Sequence, residues 1–470
     1  MEMKISNRIR LLKAPENLKN LIIQKLTIPN PIYNEKRERG YSTYGVKPFI
    51  YNFSILPDDS ILIPRGFRNE ILRLAVGMKE VITVEDKRSF FEPNYTIDSS
   101  EIKYRSYQSE AITKLISSSD EGLLIAPPGS GKTVMGLSLI PLLGQPTLWL
   151  THTDRLAKQT MERAEKFLPS LKEEDKGYIG SGKWKFGNIL TIAMIQTLIR
   201  SLDELYKYMN QFGLVILDEA HHCPAVTFEK VLNQFNPYYL YGLTATPYRK
   251  DKLESLMFHT IGDILVRITM QEVEEHGGIV IPTVKYRAIE SKPVESNNIQ
   301  TILKTHIISN EKRNGIIVGD VLREAIAGNY CLVISDRKVH CEMLYDLISI
   351  HWEKTGIATG DYSKKYVDEQ VNRFYNNEIT VLVTTFSLLG EGFDVDFLNR
   401  AFVAMPFRAE GKIEQLIGRV QRSAPGKKDA IIYDYVDINI GVLHSQFFTK
   451  SGKDCRYNCY ERLGVHIEPY

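Results

Sequence analysis

Short apolar runs, each bounded by turn residues and separated by stretches with helical spacing, recur along most of the chain. EGLLIAP (121–127), PTLWLTH (146–152), ILTIAM (189–194), GLVILDEA (213–220) and YLYGLTAT (239–246) form a first series. They lack the apolar–polar alternation of a strand with one wet face. They therefore read as strands buried on both faces, with crossover helices between them, which is the pattern of a parallel α/β sheet. The rhythm restarts after residue 301 with YCLVISD (330–336), TGIATG (355–360), TVLVTT (380–385), RAFVAM (400–405) and AIIYDYV (430–436), predicting a second sheet of similar size. Between the two series, VEEHGGIVIPTVKYR (273–287) holds Gly-Gly and Pro and reads as a hinge. Before the first series, strand-like runs at 48–56, 60–64 and 80–84 lie between turn signals such as PDDS and PRG, predicting a small α/β module. The expected division is 1–95 accessory module, 96–269 first lobe, 270–300 linker, 301–452 second lobe and 453–470 a tail, DCRYNCYERLGVHIEP, folding as a helix onto the second lobe.

Composition narrows the class without choosing a function. With 43% hydrophobic, 25% charged and 10% aromatic residues, the chain has the make-up of an ordinary globular protein. The net charge of +2 means that any site for a polyanion is a local cluster of Lys and Arg. Five cysteines without a spaced framework fit reduced thiols; Cys455 and Cys459 have no second pair at zinc spacing, and tetrahedral zinc needs four ligands. No run approaches the ~18 apolar residues of a membrane span, and the N-terminus lacks a signal-type apolar core. A cytosolic protein is expected, in a cell or in an infected host.

The strongest local chemistry is LLIAPPGSGKT, Leu123–Thr133. A buried strand runs into a small-residue turn that opens a helix. After Pro128, which has no N–H to give, the backbone N–H groups of Gly129, Ser130, Gly131 and their neighbours then wrap phosphate, and the helix N-terminus adds its positive end. Lys132 would pair with the β- and γ-phosphates of ATP, and the Thr133 hydroxyl would ligate Mg²⁺. The first glycine of the usual pattern is Ala126 here. A second buried strand ends in Asp218-Glu219. Asp218 would hold Mg²⁺ through water, and Glu219 would act as general base on the attacking water.

With these two sites placed, the chain resembles the superfamily 2 helicases. DEAH (218–221), APPGSGKT and LTATP (243–247) look like the first lobe of that motor, and further motifs follow in the family's order. YRSYQ (104–108) resembles the adenine-reading element, implying nucleotide contacts from Arg105 and Gln108. LTHTDRLAKQ (150–159) and TIAMIQTL (191–198) resemble elements that hold the nucleic-acid backbone, implying Thr151, His152 and Gln196. LVISDRKVHCEML (332–344) and VLVTTFSLLGEGFDV (381–395) look like second-lobe elements, implying Ser335, Arg337 and Thr385 on nucleic acid and Gly392 and Asp394 near the nucleotide. His221, Thr244 and Thr246 would couple the two sides. GLTATPYRKDKLE and GEGFDV are closer to the XPB-type and phage UvsW-type DNA motors than to DEAD-box RNA helicases. Phe386 stands where many relatives have Asp, which puts that position's coupling role in question. The resemblance spans 104–422 and implies two tandem RecA-like parallel-sheet lobes, ATP and Mg²⁺ as cofactors, and DNA, branched or duplex, as partner. It also implies a monomer working beside replication or recombination proteins.

QLIGRVQR (415–422) closes the series. Ile413, Leu416, Ile417 and Val420 fall at helical spacing as a core stripe, while Gln415, Arg419 and Arg422 share the opposite face. As permanently charged forks, the arginines would stabilise charge on the γ-phosphate when the lobes close. In the N-terminal module, Lys36, Arg37, Arg39, Arg65 and Arg68 are candidate phosphate contacts, with Tyr41 or Tyr44 to stack on bases. Deleting that module is expected to spare basal ATPase but to impair action on forks. Three functions remain open from the residues: a DNA helicase or translocase remodelling forks and junctions by branch migration, an RNA helicase, and an ATP-gated binding switch.

Overall fold

The computed structural model describes residues 1–93, 95–219, 225–245, 253–291, 298–390, 395–407, 411–449 and 455–470. They form two compact units, Met1–Thr269 and Met270–Tyr470.

The first unit is built on an eight-stranded sheet. Its order is Lys183–Lys185, Lys176–Gly180, Leu190–Met194, Thr147–Thr151, Leu214–Asp218, Tyr239–Thr244, Glu121–Ile125, Ile264–Arg267. Every neighbouring pair is parallel except the first, an antiparallel edge hairpin. Strands 121–125, 147–151 and 214–218 are buried at all positions, which explains the unbroken apolar runs: helices cover both faces. Register pairs Asp218 with Leu243, and Thr244 with Ile125, so three loops leave the same edge of the sheet side by side. Ligands of open α/β sheets bind at such carboxyl ends.

The second unit is a seven-stranded sheet, parallel throughout, in the order Thr355–Ala358, Val381–Thr384, Cys331–Ile334, Arg400–Val403, Ile431–Asp437, Thr283–Ile289, His466–Pro469. Two expectations need correction here. The stretch read as a linker contributes Thr283–Ile289, paired along seven residues with Ile431–Asp437. The tail is more than a helix: after Arg456–Arg462 it adds strand His466–Pro469 to the sheet edge. A Gly-Gly-Pro cluster marked the entry to a strand, not a tether. Among the described residues, no helix is long and apolar enough to cross a membrane.

Residues 2–86 carry a five-stranded sheet of their own, ordered Ser54–Ile55, Ile61–Pro64, Arg8–Leu12, Glu2–Ile5, Thr83–Asp86. Its first hairpin went unrecognised in the sequence, although Met3, Ile5, Ile9 and Leu11 alternate inward at 0–3% exposure. Glu2, Lys4, Arg8 and Arg10 occupy the intervening outward positions, so the alternation was present in the residues.

Arg65 and Arg68 are not phosphate contacts. Arg65 is 3% exposed and donates from Nε to Glu121 Oε2 at 2.7 Å, from Nη1 to the Pro237 carbonyl at 2.7 Å and from Nη2 to the Tyr238 carbonyl at 3.0 Å. Arg68 pairs with Asp120 and with Glu121 Oε1 at 3.3 Å. Arg88 joins Asp86 and Asp120, each at 2.6 Å, with its guanidinium 4.3 Å from the Tyr238 ring centroid. Burial alone would raise the Asp120 carboxyl, yet the hydrogen bonds from Arg68 and Arg88 hold it well below the usual carboxylate range. Asp120 and Glu121 open the phosphate-loop strand, so the N-terminal sheet is fastened to the base of that strand by buried charge. Deleting the module would strip two carboxylates of their cations, so a deletion would act on the stability of this strand as well as on the module's own role.

Candidate functional site

The site at the sheet edge is made by residues close in sequence. Strand Glu121–Ile125 ends, the loop turns through Gly129 (φ +81°) and Gly131 (φ +84°), and helix Lys132–Leu143 begins. Both glycines sit in the left-handed region, and a Cβ on Gly131 would collide with the Gln108 amide nitrogen. The Lys132 ammonium is buried, 3.1 Å and 3.4 Å from the carbonyls of Ala126 and Pro127 and 3.7 Å from Glu219 Oε1. The Ser130 hydroxyl is buried with no hydrogen-bond partner among the described residues. An unpartnered donor inside a ring of small residues, beside an ammonium and a helix N-terminus, fits the phosphates of ATP. Ala126 in place of glycine does no harm: it is an ordinary buried residue whose N–H reaches the Thr244 carbonyl at 3.0 Å.

Asp218 is 6% exposed at the end of its strand. Burial above all, and then the Glu219 charge, pushes its carboxyl up, with Lys132 and Arg163 pulling the other way. A divalent cation would reverse that shift by favouring the ionised form, so the donor set suits Mg²⁺. Glu219 has φ +51°, a left-handed backbone costing ~1–3 kcal/mol in a residue with a Cβ. That turn aims its carboxylate back toward Lys132.

Gln108, expected at the adenine, packs against the phosphate loop. Its Nε2 donates to the Ser130 carbonyl at 2.9 Å, its Oε1 accepts from the Arg105 N–H at 3.0 Å, and Tyr107 Oη donates to the same Ser130 carbonyl at 2.8 Å. The pair braces the phosphate loop from behind. A residue that sequence reasoning missed is Arg163, on helix Asp154–Phe167, whose Nη1 donates to Thr133 Oγ1 at 2.9 Å. The two residues are 30 apart in sequence, so no motif spacing exposes the contact. A guanidinium on the hydroxyl that would ligate Mg²⁺ must yield before a second cation arrives. Replacing Arg163 with Gln is therefore expected to lower the Mg²⁺ concentration needed for ADP binding by about tenfold, the size of one charge-assisted hydrogen bond. Titration calorimetry with ADP across a Mg²⁺ series measures this. An unchanged or raised requirement would make Arg163 a support of the metal site, not its competitor.

The expected nucleic-acid residues separate into two groups. Gln196 and Arg337 are exposed, and Arg337 Nη2 donates to Gln300 Oε1 at 2.7 Å. His152 is half-buried. Thr151, Ser335 and Thr385 are buried, and their hydroxyls serve their own loops. Thr151 donates to the Thr153 carbonyl at 3.2 Å, Ser335 accepts from the Arg337 N–H at 3.2 Å and lies 3.1 Å from His340 Nδ1, and Thr385 pairs with Ser387 at 2.8 Å. All three stand at the ends of strands buried on both faces. Thr244 is likewise fully buried between the two carboxylate-bearing and phosphate-bearing strands. His221, Thr246, Gly392 and Asp394 lie outside the described residues. Phe386 is core, packed edge-on against Phe407 with ring centroids 4.4 Å apart.

In the second unit, helix Lys412–Val420 buries Ile413, Leu416, Ile417 and Val420 as the spacing predicts, with Gln415 exposed and Arg419 half-buried. Arg422 departs from the expected helical face. The helix ends at Val420, and Arg422 forms a β-bridge with Ile279 while its Nη1 meets Asp396 Oδ1 at 3.3 Å. Lys427 holds this arrangement: its ammonium donates to the carbonyls of Val420, Arg422 and Leu398, each at 2.6 Å, and of Asp396 at 3.2 Å. Burial brings the Lys427 ammonium down to about 8. A cation on a helix's last carbonyl is favourable in itself.

Residues 101–249 match the family model of the type III restriction enzyme res subunit, and residues 316–424 match the helicase conserved C-terminal domain. The chain is 26% identical over 408 residues to a protein of Escherichia phage T5 named "Probable helicase D10", covering 84% of this chain and 85% of that one. It is 33% identical over 172 residues to the DNA 3'-5' translocase XPB2 of Sulfurisphaera tokodaii, 37% of each chain. Among solved structures, a fragment of an HsdR subunit of a type I restriction enzyme from Vibrio vulnificus superposes with a TM-score of 0.53 at 16% identity, over 90% of this chain and 79% of that one. The last is a likeness of fold.

Proposed function

The chain belongs to the superfamily 2 helicases, ATP-dependent enzymes that act on nucleic acid, and we propose that this one is a DNA translocase that remodels forks and junctions by branch migration. The observation that carries the choice of DNA is the 33% identity to a relative named as a DNA translocase, over a stretch as long as one motor lobe. Mg·ATP, when bound, supplies the free energy of phosphoanhydride hydrolysis. Ser130 and Lys132 hold phosphate oxygens, Thr133 and Asp218 hold the metal, and Glu219 takes the proton of the attacking water. Arg419 and Arg422, the latter kept in place by Lys427, are the groups we assign to the charge that builds on the transferring phosphoryl group, with Gln415 beside them. Gln196 and Arg337, both exposed, are the side chains best placed to touch the nucleic-acid backbone. Thr244 ties the phosphate-loop strand to the Asp218 strand and is our candidate for coupling.

The test is ATPase activity with single-stranded DNA, duplex, fork, four-way junction and RNA, at several salt concentrations. Forks and junctions are expected to stimulate most. Apparent affinity should fall steeply with salt, with a log–log slope of about −0.7 to −0.9 per phosphate contacted. Stimulation by RNA alone would overturn the proposal.

A further inference from the structure

The chain leaves the body of the first unit at strand Thr27–Pro29 and returns at Phe49–Tyr51, antiparallel, with Pro29 opposite Phe49. The neck is closed by the Asn30 N–H on the Pro48 carbonyl at 2.9 Å and by Asn30 Nδ2 on the Lys47 carbonyl at 2.8 Å. Below it, Ile28 and Ile50 pack into the hydrophobic cluster that also holds Ile195 and Leu198, the residues on either side of Gln196 and Thr197. The excursion is thus rooted in the motor lobe, in the same core as an element expected to face nucleic acid.

Beyond the neck nothing is buried for the sake of the fold. Helix Pro31–Glu38 has no buried residue and stands on local terms: Asn30 caps it, Pro31 occupies its first turn, and Glu35 pairs with Arg39 at 2.7 Å. The tip, Tyr41–Tyr44, is bracketed by left-handed Gly40 and Gly45. The aromatic groups of the tip and of the returning strand face outward: Tyr44 is 96% exposed, Tyr41 64%, Tyr51 55% and Phe49 43%. Lys36, Arg37, Arg39 and Lys47 accompany them against Glu35 and Glu38. Four exposed rings on one excursion forgo a large apolar gain unless something covers them. Local excess positive charge makes that cover an anion, and flat rings with wet hydroxyl tips suit bases better than a protein surface.

We propose that residues 30–51 are an aromatic finger that binds unpaired nucleotides, the rings stacking on free bases and the basic residues contacting the flanking phosphates. Bases inside a duplex are already stacked, so the finger selects a single-stranded arm or the splayed end of a fork. The inference rests on the nucleic-acid reading above and adds to it where strand separation is sensed.

The full chain with Tyr41→Ala and Tyr44→Ala together is compared with wild type by fluorescence anisotropy on a fork with single-stranded arms and on a blunt duplex. Fork affinity is expected to drop roughly ten- to a hundredfold, blunt-duplex affinity to hold, and Tyr41→Phe with Tyr44→Phe to keep the fork affinity. Lys36→Gln, Arg37→Gln and Arg39→Gln together should flatten the salt slope on the fork by about 0.7 per lost contact. Because none of these side chains is buried, unchanged thermal unfolding verifies the fold. Excising 31–47 and closing the hairpin with Asn-Gly should reproduce the loss. Equal losses on both DNAs, or none on either, would overturn the finger. Loss with the Phe pair as well would assign the tip to hydroxyl contacts instead of stacking and so overturn it too. If DNA stimulates wild-type ATPase while the finger variants bind forks normally, the finger alone fails; if no nucleic acid binds wild type, the parent reading fails with it.

Discussion

Glu219→Gln is expected to slow ATP hydrolysis by ~10²–10⁴-fold while nucleotide affinity stays close to that of wild type. The substitution keeps shape, an acceptor oxygen and the left-handed backbone, and removes the negative charge and with it the ability to take a proton. Glu219 sits 3.7 Å from Lys132 and adjoins Asp218, whose carboxyl is raised by burial and by that same Glu219 charge. Neutralising Glu219 therefore also eases the ionisation of Asp218, so metal-dependent nucleotide binding should survive or improve. Single-turnover hydrolysis, run beside equilibrium binding of a fluorescent ADP, separates the two effects. A variant that retains most of the wild-type rate would remove Glu219 from the general-base role. One that loses nucleotide binding in proportion to rate would make Glu219 part of the phosphate cradle instead.

Glu121→Gln should lower the stability of the first unit by about 3–5 kcal/mol, because it leaves the Arg65 guanidinium in a buried site without its carboxylate. Arg65 and Glu121 are each 3% exposed, so solvent offers little relief. Arg65→Met should cost less, since Arg68 still reaches Glu121 at 3.3 Å. Combining the two changes should cost less than their sum, the mark of a coupled pair. Urea unfolding followed by tryptophan fluorescence reads this through Trp149, which is fully buried in the same sheet as Glu121. Strict additivity would show that the pair is incidental. For the same reason a truncation after residue 93 is expected to yield an insoluble or unfolded lobe, and the role of the N-terminal residues is better reached through point changes at the finger.

Some of this was legible in the residues alone. The phosphate loop is eleven contiguous residues, and its strand, its glycines and its helix are each dictated locally, so the turn that carries Lys132 and Thr133 was readable without a fold. The two parallel sheets were readable because burial on both faces leaves an unbroken apolar run. The stripe Ile413, Leu416, Ile417, Val420 likewise needed only helical periodicity. What tertiary structure decided was the partner of each long side chain. Arg65 and Arg68 have the same composition signal as Arg37 and Arg39, yet the first two are held under the phosphate-loop strand and the others stand in solvent near the aromatic finger. Arg163 meets Thr133 across 30 residues, and Arg65 meets the Pro237 carbonyl across 172. Strand Thr283–Ile289, flanked by Gly and Pro, needed a neighbour in the sheet before it read as a strand. A charge or a short apolar run carries no record of its direction; only the packing of distant segments supplies the desolvation and the counter-charge that fix it.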